Sequence, residues 1–493
     1  MMRRMSGGVT ADTMRWYEQL TLWCYGLGMR WARPLLRRKL ARRAVAEPGY
    51  AHDVPARFGC YEAPALHSRS HADQPCIWIH AVSLGEARVA ALLLPTLRAR
   101  LPTVRLLFTH STATGWAEGT CHLRAGDVQT WLPWDDPSAV SGFLAYFRPH
   151  VGILMETEVW PQLVQGCVSQ GIPLALANAR LNEKSCRQAL KLAWLSRPAY
   201  AGLAAVWAQT AADAQRLQAV GAVVRGVWGN LKFDAQPDPA QCDQARQWRR
   251  NLTRPVVMLA SSRAGEEIEF IRQISASMLA QEAQRPAHFD VQKVQWLIVP
   301  RHPQRFDEVA RLIEDQGWVC RRRADWGARL AAGESASLPV LAACERPQSD
   351  PMGTNGINGI NGSRPQVWLG DSLGEMALYY SLADVALLGG SFESLGGQNL
   401  IEAAACACPL VLGPHTFNFA EASEQAVASG AAQRVGNMGE AVKAALHWLA
   451  DDAARQAAVQ ATRIFAQSKQ GATDLTVQGI VSLLPAALQP QHH

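Results

Sequence analysis

From Tyr50 onward, short apolar runs alternate with helically spaced apolar residues, and they do so in two successive series. Few architectures accept that pattern: short apolar runs separated by amphipathic helices are strands of a parallel sheet covered on both faces. The first series comprises Cys76 to His80, Val104 to Thr109, Gln129 to Leu132, Val151 to Met155, Pro173 to Ala177, Ala205 to Ala208 and Val223 to Trp228. The second comprises Val256 to Ala260, Trp296 to Val299, Val367 to Leu369, Val385 to Leu388 and Leu410 to Leu412. Between them, residues 234–254 are polar and proline-bearing, as an interdomain linker is. The expected fold is α/β: two Rossmann-like domains, 48–233 and 255–437, facing a central cleft. A tail, 438–493, carries a helix from about Met438 to Ala466 that crosses back to the first domain.

Charge is distributed unevenly along the chain. The formal net charge is +6, yet residues 1 to 43 hold ten Lys or Arg against only Asp12 and Glu18, so the positive excess sits in one terminal segment. Such a segment seeks an anionic partner. Trp16, Leu20, Trp23, Leu27 and Trp31 recur at spacings of three and four, one apolar helical stripe, with Arg30, Arg33, Arg37, Arg38 and Lys39 close behind. Glu18, Gln19 and Arg30 interrupt the roughly 18 apolar residues that a spanning helix requires. Residues 1–47 therefore read as a basic amphipathic segment lying on an anionic membrane surface; the competing reading is a helix docked on its own domain. No nucleic-acid reading module accompanies the cluster, so nucleic acid is not an expected partner. The 11 cysteines are scattered without a CxxC pair, which argues against a zinc or dithiol centre and fits a reducing compartment.

In open parallel sheets ligands bind beyond the carboxyl ends of strands. The loop after the first strand, His80-Ala-Val-Ser-Leu-Gly-Glu86, ends in a carboxylate that is either chemical or simply a first-turn residue favoured by the helix dipole. Thr109-His-Ser-Thr-Ala-Thr-Gly115 suits a sugar or phosphate, or an ordinary cap. Glu156 and Glu158 follow the Val151 to Met155 strand, two acids able to act as base and partner, or as caps. In the second half, Ser261, Ser262 and Arg263 follow a strand and are candidates to meet phosphate oxygens. Pro300-Arg301-His302-Pro303 and Gly370-Asp-Ser-Leu-Gly-Glu375 share that logic, and Gly389-Gly-Ser391 with Gly396-Gly-Gln-Asn-Leu-Ile-Glu402 offers close backbone approach and a helix start. There is no GxGxxG with a downstream acid and no P-loop, which disfavours dinucleotide enzymes and nucleoside triphosphatases. Gly353 to Gly362, GTNGINGING, reads as a flexible loop without a role.

Taken together, HAVSLGE, PWDDP, METEVWP, ANARL, GNLKFD, PRHPQRF, GDSLGE, GGSFESLGGQNLIEAAA and GPHTFNFAEA resemble, in order and across residues 76 to 425, the family of 3-deoxy-D-manno-octulosonic acid (Kdo) transferases. The resemblance implies a GT-B glycosyltransferase that moves Kdo from CMP-Kdo to the lipid A precursor by direct inverting displacement. It works at the cytoplasmic face of the inner membrane of a Gram-negative-type cell, with no metal and no cofactor beyond its co-substrate. Motif by motif, it makes Glu86 the general base and Glu156 and Lys232 stabilisers of the transition state. It assigns CMP to Pro300 and Arg301, to Leu373, Gly374 and Glu375, and to Asn399, Leu400, Ile401 and Glu402. Gln398 and Leu400 stand where some relatives carry His and Pro. The alternatives left open are another enzyme of this architecture, such as a UDP-sugar transferase or nucleotide-sugar epimerase, and a non-catalytic membrane-tethered nucleotide-binding protein.

Overall fold

The structure is a computed structural model and describes residues 16–62, 74–283, 289–323 and 365–490. The Gly353 to Gly362 insertion and the first fifteen residues lie outside these. The chain divides into two units, Met1–Asp234 together with Lys469–His493, and Ala235–Ser468.

In the first unit every strand is parallel to its neighbours. The strands are β1 (Cys76–His80), β2 (Arg105–His110), β3 (Val128–Trp131), β4 (Val151–Met155), β5 (Leu174–Ala179), β6 (Ala205–Ala208) and β7 (Val224–Val227), in the order 3-2-1-4-5-6-7. Alternation along each strand sends its side chains to two cores. Trp78, Leu107, Leu154 and Leu176 pack with Phe143, Phe147 and Leu163 on one face. Ile77, Ile79, Phe108 and Ile153 pack with Leu93 and Leu97, and with Val477 and Ile480 from the returning helix Ala472–Leu483, on the other. Strands buried on both faces have no polar side, which is why they read as continuous apolar runs.

The second unit repeats the scheme with β8 (Val256–Ser262), β9 (Gln295–Pro300), β10 (Val319–Arg322), β11 (Gln366–Leu369), β12 (Val385–Leu388), β13 (Leu410–Leu412) and β14 (Ala432–Arg434), in the order 10-11-9-8-12-13-14. Two of these seven, β10 and β14, escape the hydrophobic reading because both are short, polar edge strands. Order reverses between β1 and β4 in one sheet and between β8 and β12 in the other, the positions at which open parallel sheets generally receive ligands.

Two boundaries differ from expectation. Residues 234–254 are not an open linker: Pro239–Asn251 is a helix of the second unit, capped by Asp238, with Ala245 and Trp248 buried. The Met438 to Ala466 stretch is two helices, Met438–Ala450 and Asp452–Ser468, both in the second unit, and the return to the first unit begins only at Lys469.

The helix Trp16–Ala46 docks on its own unit while leaving its apolar stripe uncovered. It docks through Leu22, Gly26 and Leu40, which are buried, and Arg33 forks onto Asp136 with two hydrogen bonds of 2.8 Å. The stripe itself faces away: Trp16 is 76% exposed, Trp31 is 78%, and Leu20, Trp23 and Leu27 are exposed too. Among the described residues no helix is long and apolar enough to cross a membrane. The PWDDP acids are structural: Asp136 caps the helix Pro137–Phe147, and Asp135 accepts the N–H groups of Gln162 and Leu163 at 3.1 and 2.8 Å.

Candidate active site

The β1 to β4 reversal places two acids together. Beyond β1, Ser83 caps the helix Leu84–Arg100, and Glu86 in its first turn folds back so that its carboxylate accepts the Val82 N–H at 2.8 Å. Burial drives its pKa up to about 7; the Val82 N–H opposes this, nearby Glu156 and Glu158 reinforce it, and Arg180 counters them. Glu86 thus stands poised to exchange a proton near neutrality, while also making the local hydrogen bond that its sequence position suggested. Glu156 follows β4 in the left-handed region, φ 58°, and is only 4% exposed. That backbone costs about 1 kcal/mol or more for a residue with a Cβ. It is held by the bond from Glu156 N–H to the Ala177 carbonyl (3.0 Å) and by the Arg180 N–H onto the Glu156 carbonyl (3.2 Å). Arg180 Nε then donates to the Glu156 carboxylate at 2.7 Å. Glu158 accepts the Trp160 indole N–H at 2.8 Å.

Lys232, half-buried, stands on the turn Leu231–Asp234 after β7. Asn178, at the end of β5, fixes that turn by accepting the Leu231 N–H at 3.1 Å, and Lys232 N–H donates to Asn230 Oδ1 at 3.0 Å.

At the second reversal the expected phosphate loop has a different occupant. Glu266 accepts the N–H groups of Arg263 (2.9 Å), Gly390 (2.8 Å) and Phe392 (3.2 Å), so these donors already serve a carboxylate. Ser262 is buried and donates to Glu267 at 2.8 Å, and Glu267 pairs with Arg305 at 2.6 Å. Ser261 sits at φ 53° behind them. Of the three candidates in this loop, Arg263 has its side chain on His302, with Nη1 donating to Nε2 at 2.7 Å. Pro300 ends β9 in the core, while Arg301 is exposed with its N–H on the Ser262 carbonyl at 3.1 Å.

Leu373 is exposed beside Gly374, whose left-handed carbonyl accepts Gln241 Nε2 at 2.8 Å. Glu375 is fixed by Arg323 at 2.8 Å and by the Ser372 hydroxyl at 2.5 Å. The helix Leu400–Ala405 has six residues. Its cap is filled, since Asn399 Oδ1 accepts the Ile401 N–H at 3.1 Å and Asn399 Nδ2 donates to Glu402 at 3.0 Å. Leu400 and Ile401 are buried core side chains, so only their backbone could touch a nucleotide. Among the described residues no group of three His, Cys, Asp or Glu is arranged to hold a metal ion.

A sequence model of the family described as 3-deoxy-D-manno-octulosonic-acid transferase (kdotransferase) matches residues 52–235. The 3-deoxy-D-manno-octulosonic acid transferase of Bordetella pertussis is 41% identical over 466 residues, covering 92% of this chain and 98% of that one. The chain belongs to the 3-deoxy-D-manno-octulosonic acid transferase family. It is accordingly a glycosyltransferase. A relative of the same description from Haemophilus influenzae is 28% identical over 394 residues, 79% of this chain and 81% of its own. The UDP-GlcNAc 2-epimerase from Neisseria meningitidis bound to UDP-GlcNAc superposes with a TM-score of 0.50 at 12% identity, over 83% of this chain and 100% of that one, a likeness of fold alone.

Several residues that shape the transferase's candidate site had no assigned role in the sequence. Arg180 and Asn178 lie within ANARL, and their signal was that motif's place at the end of β5. Gln241 and the Glu267–Arg305 pair act across long sequence separations, and no local pattern announces them.

Proposed function

We propose that the transferase moves Kdo from CMP-Kdo to a sugar hydroxyl of the lipid A precursor, lipid IVA, releasing CMP with inversion at the anomeric carbon. The observation that carries this reading is Glu86: a carboxyl held near neutral pKa beyond β1, beside Glu156, in a chain of this family. Ionised Glu86 takes the acceptor's proton as that oxygen bonds to the anomeric carbon, and the carbon–oxygen bond to phosphate breaks with its electron pair leaving on CMP. Attack opposite the leaving group inverts the centre. Lys232 opposes charge growing on the departing phosphate, and Glu156, paired with Arg180, adds negative potential where the sugar becomes cationic. The second unit holds the nucleotide through Arg301 and the loops ending in Glu375 and Glu402.

The acceptor is a lipid, and the exposed tryptophan stripe followed by Arg30, Arg37, Arg38 and Lys39 suits the anionic cytoplasmic face of the inner membrane. Leu190, Leu192 and Trp194 add exposed apolar surface on and beside the helix Ala193–Ala201, which packs against the stripe's own helix. The test is CMP release and product mass when the protein is mixed with CMP-Kdo and lipid IVA, in parallel with UDP-sugars. Release of CMP and a product heavier by one or more Kdo residues is expected; turnover of UDP-sugars instead would overturn the reading.

A further inference from the structure

Beyond β8 and β9 the second unit gathers more positive charge than its acids can answer. Arg263, Arg301, His302 and Arg305 lie close enough that all three arginines bear on the His302 imidazole. Among the nearby carboxylates, Glu393, whose Oε1 comes 3.8 Å from where a Gly265 Cβ would stand, pairs with neither Arg263 nor Arg301, and the others are engaged elsewhere. Glu266 is saturated by three backbone N–H groups, and Glu267 and Glu308 both pair with Arg305. Among the described residues neither Arg263 nor Arg301 has a carboxylate partner. Two guanidiniums without a paired carboxylate, both acting on one imidazole, make a positive region that attracts an anion.

The arrangement is also built rather than incidental. Gly389 lets the loop after β12 press on the end of β8, where a Cβ would come within 2.6 Å of the Ser261 carbonyl oxygen. Arg263 runs its stem along Gly390, its Cγ 3.7 Å from where a Cβ would stand, and Gly390 accepts the Gly397 N–H at 2.8 Å. Arg263 therefore shares one rim with the loop that leads into Asn399. Its Nη1 donates to His302 Nε2 at 2.7 Å. Burial and the flanking arginines hold His302 below the ordinary histidine range, so the ring is neutral and accepts. That bond fixes the plane of the guanidinium and leaves its other N–H groups for a ligand.

The donor has two anions to be met. In a nucleotide-linked 2-keto sugar acid, the carboxylate is borne by the same anomeric carbon that carries the phosphate oxygen. Its charge therefore lies close to the phosphate, and a neutral hexose donor has no counterpart. We propose that Arg263, oriented by His302, receives this carboxylate as a forked pair while Arg301 meets the phosphate, so that Arg263 selects a sugar acid over a neutral sugar. The inference rests on the reading of the donor given above.

The experiment uses the full chain in detergent with CMP-Kdo and lipid IVA. It measures kcat/KM for the donor and, separately, the inhibition constant of CMP, which lacks the carboxylate. Arg263→Gln should lower kcat/KM for the donor by roughly 10- to 100-fold, the loss of a charged hydrogen-bonding partner. Its CMP inhibition constant should stay within about twofold, in keeping with the near-zero effect expected where a contact is not made, and this also certifies the fold. Arg263→Lys, which keeps the charge but not the fork, should fall between, and His302→Gln should raise the donor KM with CMP inhibition unchanged. A rise in the CMP constant in step with the donor loss would place Arg263 on the phosphate and overturn the assignment, as would unchanged donor kinetics in Arg263→Gln. Wild-type protein that releases no CMP from CMP-Kdo would instead remove the functional reading, and the carboxylate subsite with it.

Discussion

Replacing Glu86 by Gln removes a charge that the fold resists and the proposed chemistry requires, so stability and activity should move in opposite directions. Burial, more than any neighbour, lifts this carboxyl from 4.5 to about 7. At about 1.4 kcal/mol per pKa unit, ionising Glu86 costs the folded state about 3 kcal/mol more than the unfolded chain. An acid with a raised folded pKa holds its proton more tightly when folded. Its stabilising contribution is therefore complete below pH 4.5 and is lost as pH climbs to about 7. Gln never ionises, and its amide oxygen can still accept the Val82 N–H. The variant should match wild type near pH 4.5 and exceed it by about 3 kcal/mol from about pH 7 upward. At about 2–4 °C per kcal/mol for a domain of this size, the first unit should melt about 6–12 °C higher near pH 8. Scanning calorimetry over this range, paired with kcat/KM against pH, reads both effects. Wild-type transfer should rise about tenfold per pH unit and level off near pH 7, while the variant stays inactive but still binds CMP. A stability difference that ignores pH, or a variant that turns over like wild type, would refute the assignment of Glu86 as the base.

Arg180 pulls the Glu86 pKa down, so Arg180→Met should move the acid limb of the same pH profile to higher pH, read from kcat/KM. Glu267 is fully buried between Ser262 and Arg305, and Glu267→Ala should destabilise the second unit by about 1–3 kcal/mol in urea unfolding, since it leaves the buried Ser262 hydroxyl without its acceptor and Arg305 with Glu308 alone. Trp23→Glu with Trp31→Glu should reduce sedimentation with anionic vesicles while leaving the thermal melt unchanged, because both side chains are already exposed.

The strands that carry the site were legible because they are buried on both faces. Cys76–His80, Val151–Met155 and Val385–Leu388 match their apolar runs residue for residue. Where burial is one-sided the pattern fades: β10 is Val-Cys-Arg-Arg and β14 is Ala-Gln-Arg, and Pro239–Asn251 shows the core little beyond Ala245 and Trp248. The carboxylates could be located by their strand ends, but not their surroundings. Whether Glu266 or a phosphate receives the amides of Gly390 and Phe392 depends on a contact spanning more than a hundred residues, and spacing holds no record of it. The helix start at Asn399 shows the same limit: its six-residue length and the cap that Asn399 makes on the Ile401 N–H look, in sequence, like any other glycine-led helix opening.

Asp234 is the last residue of the first unit's leading segment, and it accepts the N–H groups of Gly471 at 2.6 Å and Thr473 at 2.5 Å, where the chain has just come back. Departure and return are thus buttoned at one carboxylate, and residues 235–468 behave as a single cassette spliced into a host body. The matching cassette from a relative could be exchanged as one uninterrupted stretch of gene. The host body allows no such shortcut: cut at Asp234, it would lose Val477, Ile480 and Leu484 from beneath its own sheet.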